Sequence, residues 1–301
     1  MKALVTGGTG FVGPRLLRLL NKPTVLTRNP ERAAAKIGHL AGDVIGWDPM
    51  EGPPPPDSFD GVDCVFHLAG ESVAEGRWTT AQKATIRDSR ILGTKNLVSG
   101  ILQNKTGIKT LVSSSAVGYY GDRGEEELTE SSPPGNDFLA DVCIDWEREA
   151  DIAREQGVRV VTMRTGIVLG AGGGALAKML TPFRLGAGGP LGNGRQWMPW
   201  VHVADLARLY IHANETSSIN GPMNAVAPNP VRNSEFTKAL AAQLKRPAFM
   251  PAPYLGLRLV FGEFAKVLFA SQKVVPQVAL ETGFAYQFPF IKEALKDILS
   301  V

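Results

Sequence analysis

The chain has 301 residues, 44% of them hydrophobic and 20% charged, with a formal net charge of +3. That is ordinary globular composition, with room for one large domain and a small one. The slight charge gives no argument for nucleic acid or a membrane surface as partner, and no apolar run reaches the roughly 18 residues that a bilayer span needs.

The first element reads as a short buried strand, Met1-Lys2-Ala3-Leu4-Val5-Thr6, followed at once by Gly7-Gly8-Thr9-Gly10-Phe11-Val12-Gly13 and a helical pattern over residues 14–20. Strand, glycine-rich turn and helix place a pyrophosphate against free backbone N–H groups at a helix start. Gly7 is expected to make the tight turn, Gly10 to let phosphates approach, and Gly13 to let the helix lie close to the sheet. Opening on a strand instead of a charged segment predicts no signal peptide. The two cysteines, Cys64 and Cys143, read as reduced thiols of a cytoplasmic protein.

Further strands are expected at residues 24–27, 62–68, 110–113 and 158–164, with helices over 79–102 and 137–156. The alternation predicts an α/β fold with a Rossmann-type doubly wound parallel sheet. After Gly166 the pattern changes to a glycine-rich, substrate-side region over about 170–200, with one helical piece at 176–180. The expected division is a dinucleotide-binding domain over 1–228 and a small, mainly helical domain over 229–301, ending in a helix at 291–299.

At the end of the second strand stand Thr27 and Arg28, where an acidic residue would favour NAD and an arginine accommodates the 2′-phosphate of NADP. A charge-assisted hydrogen bond is worth about 1.5–3 kcal/mol, so the expected cofactor is NADP(H), with Arg32 assisting. No Cys, His and carboxylate cluster has metal-ligand spacing, and no metal is expected. His67, inside an apolar strand, reads as a core histidine, and His202 as structural, ahead of a helix that Asp205 stabilises.

Three segments together resemble an extended short-chain dehydrogenase/reductase: Thr6 to Gly13, then His67-Leu68-Ala69-Gly70, then Ser113-Ser114-Ser115 leading to Tyr119-Tyr120-Gly121. The resemblance is nearest to the atypical epimerase family of sugar-nucleotide epimerase-like proteins with their own C-terminal domain. Arg77-Trp78, Asp88-Ser89-Arg90, Arg164-Thr165-Gly166 and Gly194-Arg195-Gln196-Trp197 extend it over essentially the whole chain. It implies that Leu68, Ala69 and Gly70 lie along the cofactor. Arg90 stands where relatives usually carry Asn, and its planar fork of donors would meet cofactor or an anionic substrate, or else pair with a structural carboxylate near Asp88.

Active members carry Tyr-x-x-x-Lys with a Glu four residues beyond. Aligning Glu147 as that Glu puts Leu139 at the Tyr position and Cys143 at the Lys position. Neither can supply a phenol with an ammonium to lower its pKa. Ser115, Tyr119 and Tyr120 remain as catalytic candidates, both tyrosines having a packing role as the rival reading, and Arg195 with Trp197 would clamp a ligand or be a surface loop. Three functions stay open: an NADP(H)-dependent oxidoreductase or epimerase-like enzyme on a small polar substrate such as a sugar or nucleotide, an isomerase or dehydratase holding NADP tightly, and an NADPH-binding sensor without turnover. Helix pairs in such folds commonly form two-fold interfaces, so a homodimer is an expected assembly.

Overall fold

In the computed structural model, which describes residues 1–74, 76–104 and 107–300, strands and helices alternate through the first half. They are β1 (Ala3–Thr6), α1 (Gly13–Leu17), β2 (Thr24–Thr27), α2 (Pro30–Ile37), β3 (Val44–Gly46), β4 (Cys64–His67), α3 (Thr80–Gln103), β5 (Thr110–Ala116) and α4 (Phe138–Asp151). Then come β6 (Arg159–Thr165), α5 (Gly174–Arg184), α6 (Val203–Glu215) and β7 (Gly221–Ala225). The seven strands form one parallel sheet in the order β3-β2-β1-β4-β5-β6-β7. The strand order reverses beside β1, and in such sheets ligands bind at the carboxyl ends of the strands at that switch point.

Alternate residues of each strand feed two cores. Val5, Val25, Phe66 and Val112 pack with Leu16, Leu206 and Tyr210 on one face. Leu4, Leu26, Val65 and Leu111 pack with Leu97, Ile101 and Ala150 on the other. The helices start where side-chain oxygens take up free N–H groups. Asn29 accepts from Arg32 ahead of α2, Thr79 from Gln82 ahead of α3, and Asp137 from Ala140 ahead of α4.

The C-terminal part holds α7 (Asn233–Leu244), α8 (Tyr254–Phe261), α9 (Phe264–Phe269), α10 (Gln277–Glu281) and α11 (Ile291–Leu299). Its core unites Phe236 and Leu240 of α7 and Leu295 and Ile298 of α11 with Leu169, Leu176, Phe183 and Trp200 from before residue 228. The small core therefore draws on both sides of the boundary drawn from sequence.

Several strands differ in extent from the sequence expectation, β4 being shorter (Cys64–His67) and β5 longer (Thr110–Ala116), and so do three helices. α1 ends at Leu17, and the short link to β2 turns through Lys22 at φ 47°. The helix expected over 137–156 tightens into a 3-10 turn at Ile152–Gln156. α5 is longer than expected and runs through Pro182.

Candidate active site

The glycine-rich turn closes with a hydrogen bond from Gly10 N–H to the Gly7 carbonyl at 3.0 Å. Gly7 has φ +70°, and a Cβ there would lie 2.7 Å from the Leu68 carbonyl carbon, so both the conformation and the close passage past β4 require glycine. A Cβ on Gly13 would lie 2.3 Å from the Gly8 oxygen. The third glycine therefore brings α1 against the turn's own backbone, and Gly8 is the residue that presses on the sheet, at Val25. A Cβ on Gly10 would meet only the Gly7 oxygen, at 3.2 Å, and the residue is exposed. The cradle is thus open where phosphates need to approach. Phe11 lies under the loop at 170–174, where Gly170, Gly173 and Gly174 all abut its ring; Arg15 stacks on the ring and bonds the Phe11 and Ala171 carbonyls. Val12 precedes α1 as its cap residue, in helical conformation.

Thr27 ends β2 and its hydroxyl accepts the Asn29 N–H, leaving Arg28 exposed. Arg32 and Lys36 follow one turn apart on α2, also exposed, and Lys36 reaches back to the Thr9 carbonyl at 2.6 Å. None of the three cations has a carboxylate partner among the described residues. Sequence reading missed Lys36, whose signal was its place four residues after Arg32 on a helix starting beside the turn.

Thr6 at the end of β1 accepts the Ala69 N–H and meets His67 Nδ1 at 2.7 Å, while His67 Nε2 meets the Thr94 hydroxyl at 3.0 Å. His67 is thereby a satisfied core histidine tying β1, β4 and α3. Burial lowers its pKa to about 4. Because an unfolded histidine titrates near 6.5, the unfolded chain binds the extra proton between those values, and stability falls as pH drops through that window. One group shifted this far contributes up to about 3 kcal/mol. Urea unfolding at pH 7 and pH 5 should show about 2 kcal/mol of this loss, and His67→Gln should remove most of the difference; an equal pH dependence in the variant would refute the assignment.

Leu68, Ala69 and Gly70 line the carboxyl end of β4, with Gly70 exposed beside Arg90 of α3. The Arg90 guanidinium donates to the Ile86 carbonyl at 3.0 Å and lies 5.1 Å from the Trp146 ring centre. Among the described residues it pairs with no carboxylate, and Asp88 pairs instead with Arg87. Burial lowers the Arg90 pKa, with Cys143 and Glu71 opposing.

On α4, Leu139, Cys143 and Glu147 share one face at successive four-residue steps. Leu139 packs against Gly118, where a Cβ would lie 3.1 Å from its own Cβ. The Cys143 thiol is buried, donates to the Ala116 carbonyl at 3.6 Å, and is pushed up to about 12 by burial and by Glu147. Glu147 makes a two-pronged ion pair with Arg164 of β6, at 2.9 Å on each oxygen, and accepts the Ser115 hydroxyl at 2.6 Å. Burial works against the Arg164 charge, but Glu147 and Tyr120 outweigh it and raise its pKa.

The two tyrosines diverge. Tyr120 is fully buried, donates to Asn224 at 2.6 Å, accepts from Arg164 at 3.1 Å, and is pushed up to about 12 by burial. That geometry makes it a strut between the turn after β5 and β7. Tyr119 is half-buried with its ring 3.4 Å from the Arg164 guanidinium carbon, and its hydroxyl has no partner among the described residues. Trp197 and Arg195, open to a clamp or a surface-loop reading, meet different surroundings. Trp197 donates to Glu125 and is covered by Arg232, which itself pairs with Glu125, while Arg195 is exposed. His202 caps α6 by accepting the Ala204 N–H. Asp205 does more than complement the helix dipole, because it receives the N–H groups of Gln287 and Phe288.

Residues 3–225 match the model of the NAD dependent epimerase/dehydratase family, and residues 252–298 match a domain of unknown function, DUF1731. The chain belongs to the NAD dependent epimerase/dehydratase family. Within it, the chain is 39% identical to the chloroplastic SDR39U1 homolog of Arabidopsis thaliana, over 99% of this chain and 87% of that protein. It is 38% identical to the mouse epimerase family protein SDR39U1, with both chains covered in full. The crystal structure of human SDR39U1 (isoform 2) with NADPH superposes with a TM-score of 0.89 at 37% identity, covering 100% of this chain and 99% of that one. Family membership makes the contents of the α4 face informative: the positions of the resembled proton-donor pair are filled by a packed leucine and a buried neutral thiol. Among the described residues, no helix is long and apolar enough to cross a membrane, and no three His, Cys, Asp or Glu side chains gather as a metal-holding group.

Proposed function

We propose that the chain is an NADP(H)-dependent enzyme of oxidoreductase or epimerase type that works without a Tyr-x-x-x-Lys pair. The observation that carries this reading is the open cradle at Gly10 set beside three exposed cations, Arg28, Arg32 and Lys36, that have no carboxylate partner among the described residues. The NADPH-bound human relative supports it. The turn from Gly7 to Gly13, with Thr9, Phe11 and Val12, would hold the pyrophosphate, and Thr27 and Arg28 the adenosine ribose and its 2′-phosphate. Leu68, Ala69, Gly70 and Arg90 would border the nicotinamide half. When bound, the cofactor supplies or accepts a hydride.

Arg90 places a cation beside Cys143, where the lost lysine would have put one, so the site keeps a positive charge delivered from α3 instead of α4. Ser115, whose proton is committed to Glu147, offers its oxygen to a ligand. Tyr119, its ring stacked on the Arg164 guanidinium and its hydroxyl without a partner among the described residues, is the better placed of the two tyrosines to give or take a proton, and Tyr120 belongs to the framework. The test is parallel titration with NADPH and NADH, followed by nucleotide fluorescence. NADPH should bind at least about tenfold more tightly, and Arg28→Ala should erase about one to two decades of that ratio. Equal affinities in the parent, or an unchanged ratio in the variant, would overturn the cofactor assignment.

A further inference from the structure

We infer that the surface built from the end of α5, the turn after it and α8 docks onto an anionic lipid bilayer, lying in the headgroup layer without crossing it. Six of the twelve large apolar side chains exposed among the described residues stand here: Leu185, Phe249, Met250, Leu255, Leu259 and Val260. Leu185, Phe249, Leu255 and Leu259 are each 76–78% exposed. The fold lays two distant stretches side by side. The Ala252 N–H donates to the Pro190 carbonyl and the Gly192 N–H to the Ala252 carbonyl, each at 2.9 Å, and a Cβ on Gly186 would lie 3.7 Å from the Pro247 ring. α8 follows directly, tied down where the Tyr254 ring meets Phe269. A surface helix ordinarily buries one apolar face, yet none of the residues of α8, Tyr-Leu-Gly-Leu-Arg-Leu-Val-Phe, is buried. An apolar surface gathered in this way marks a site of interaction.

Charge identifies the occupant. Arg184, Lys245, Arg246 and Arg258 are exposed among these apolar residues, and none has a carboxylate partner among the described residues. No Asp or Glu occurs in residues 171–204 or 236–262, the two stretches that make the surface. Glu263, the first carboxylate past α8, is engaged by Lys83 at 2.9 Å. On α8 itself Leu255, Arg258 and Leu259 share one face at helical spacing, so apolar and cationic groups point the same way. Apolar side chains interleaved with cations suit the boundary between acyl chains and anionic headgroups. A second copy seated on the same face would set these cations against their own counterparts with no carboxylate to receive them. At eight residues α8 is too short to span a bilayer, so the contact lies on the surface.

The experiment sediments the full chain with vesicles of phosphatidylcholine alone and of phosphatidylcholine with about one-third phosphatidylserine. The chain should partition onto the anionic vesicles at least about tenfold more strongly than onto the neutral ones. Arg184→Ala and Arg258→Ala should each weaken that binding about fivefold. Leu255→Ser combined with Leu259→Ser should weaken it by about tenfold or more. All four side chains are exposed, so the variants keep the fold. Leu280→Ser, at an exposed leucine of α10, should bind as the parent does. Equal partition onto both vesicles, no binding to the anionic ones, or an equal loss in Leu280→Ser would overturn the proposal. So would undiminished binding in the double leucine variant, which would leave only diffuse attraction of charge. Light scattering of the protein without vesicles completes the test, because a dimer that the double leucine variant dissociates would give this face to a second copy instead.

Discussion

Replacing Arg164 with alanine will lower the free energy of unfolding by about 3–5 kcal/mol, the range for removing one partner of a buried ion pair. The side chains of Arg164 and Glu147 are only 4% and 12% exposed, so Glu147 would be left with a carboxylate that water barely reaches. The same substitution strips the Tyr120 hydroxyl and the Glu130 carbonyl of a donor and takes the cation from the Tyr119 ring. Glu147→Leu combined with Arg164→Met should recover much of the loss, because a pair replaced by apolar groups of similar volume no longer leaves a bare charge. Urea unfolding of the three proteins measures both effects. A loss below about 1 kcal/mol for Arg164→Ala would show that the pair is solvated and does not brace the site.

The second large effect concerns the missing lysine. Cys143→Lys alone will cost several kcal/mol, because it buries an ammonium beside the Arg90 guanidinium while Glu147, the nearest carboxylate, is already spent on Arg164 and Ser115. Arg90→Asn puts there the residue that the resemblance to extended short-chain dehydrogenase/reductases implies, and removes the like charge. In the double variant the cost should shrink, with a coupling of about 1–3 kcal/mol between the two substitutions. Additive losses in the cycle would mean that the charges do not feel each other, and the view of Arg90 as the relocated cation would fall.

The fold was legible where periodicity and glycine spacing coincide. β2 and α11 have their expected limits, and α3 lies one residue from them. β3 and β7 were not legible, for different reasons. β3 is three residues long, and β7 reads Gly-Pro-Met-Asn-Ala, a composition poor in strand formers; the sheet's edge position tolerates it because β6 supplies its one ladder. At the site, the cofactor turn and Arg28 were visible as motifs, whereas the division of labour between Tyr119 and Tyr120 was not. Neighbours in sequence at the end of β5 face opposite surroundings, and only the distant Asn224 and Arg164 decide which hydroxyl is taken. Between a clamp and a surface loop at Arg195 and Trp197 the sequence left both open, because the indole's contacts, Glu125 and Arg232, lie far away in sequence.

The ring of Phe11, clasped by three glycines of the 170–174 loop, has a consequence for how ligands are handled. The turn that would receive a dinucleotide and the start of α5 on the substrate side share one rigid contact, so a shift of either is felt by the other. Occupancy of the two halves of the cleft is then energetically linked, and the linkage is reciprocal: whatever the cofactor does to the affinity of the second ligand, that ligand does equally to the cofactor.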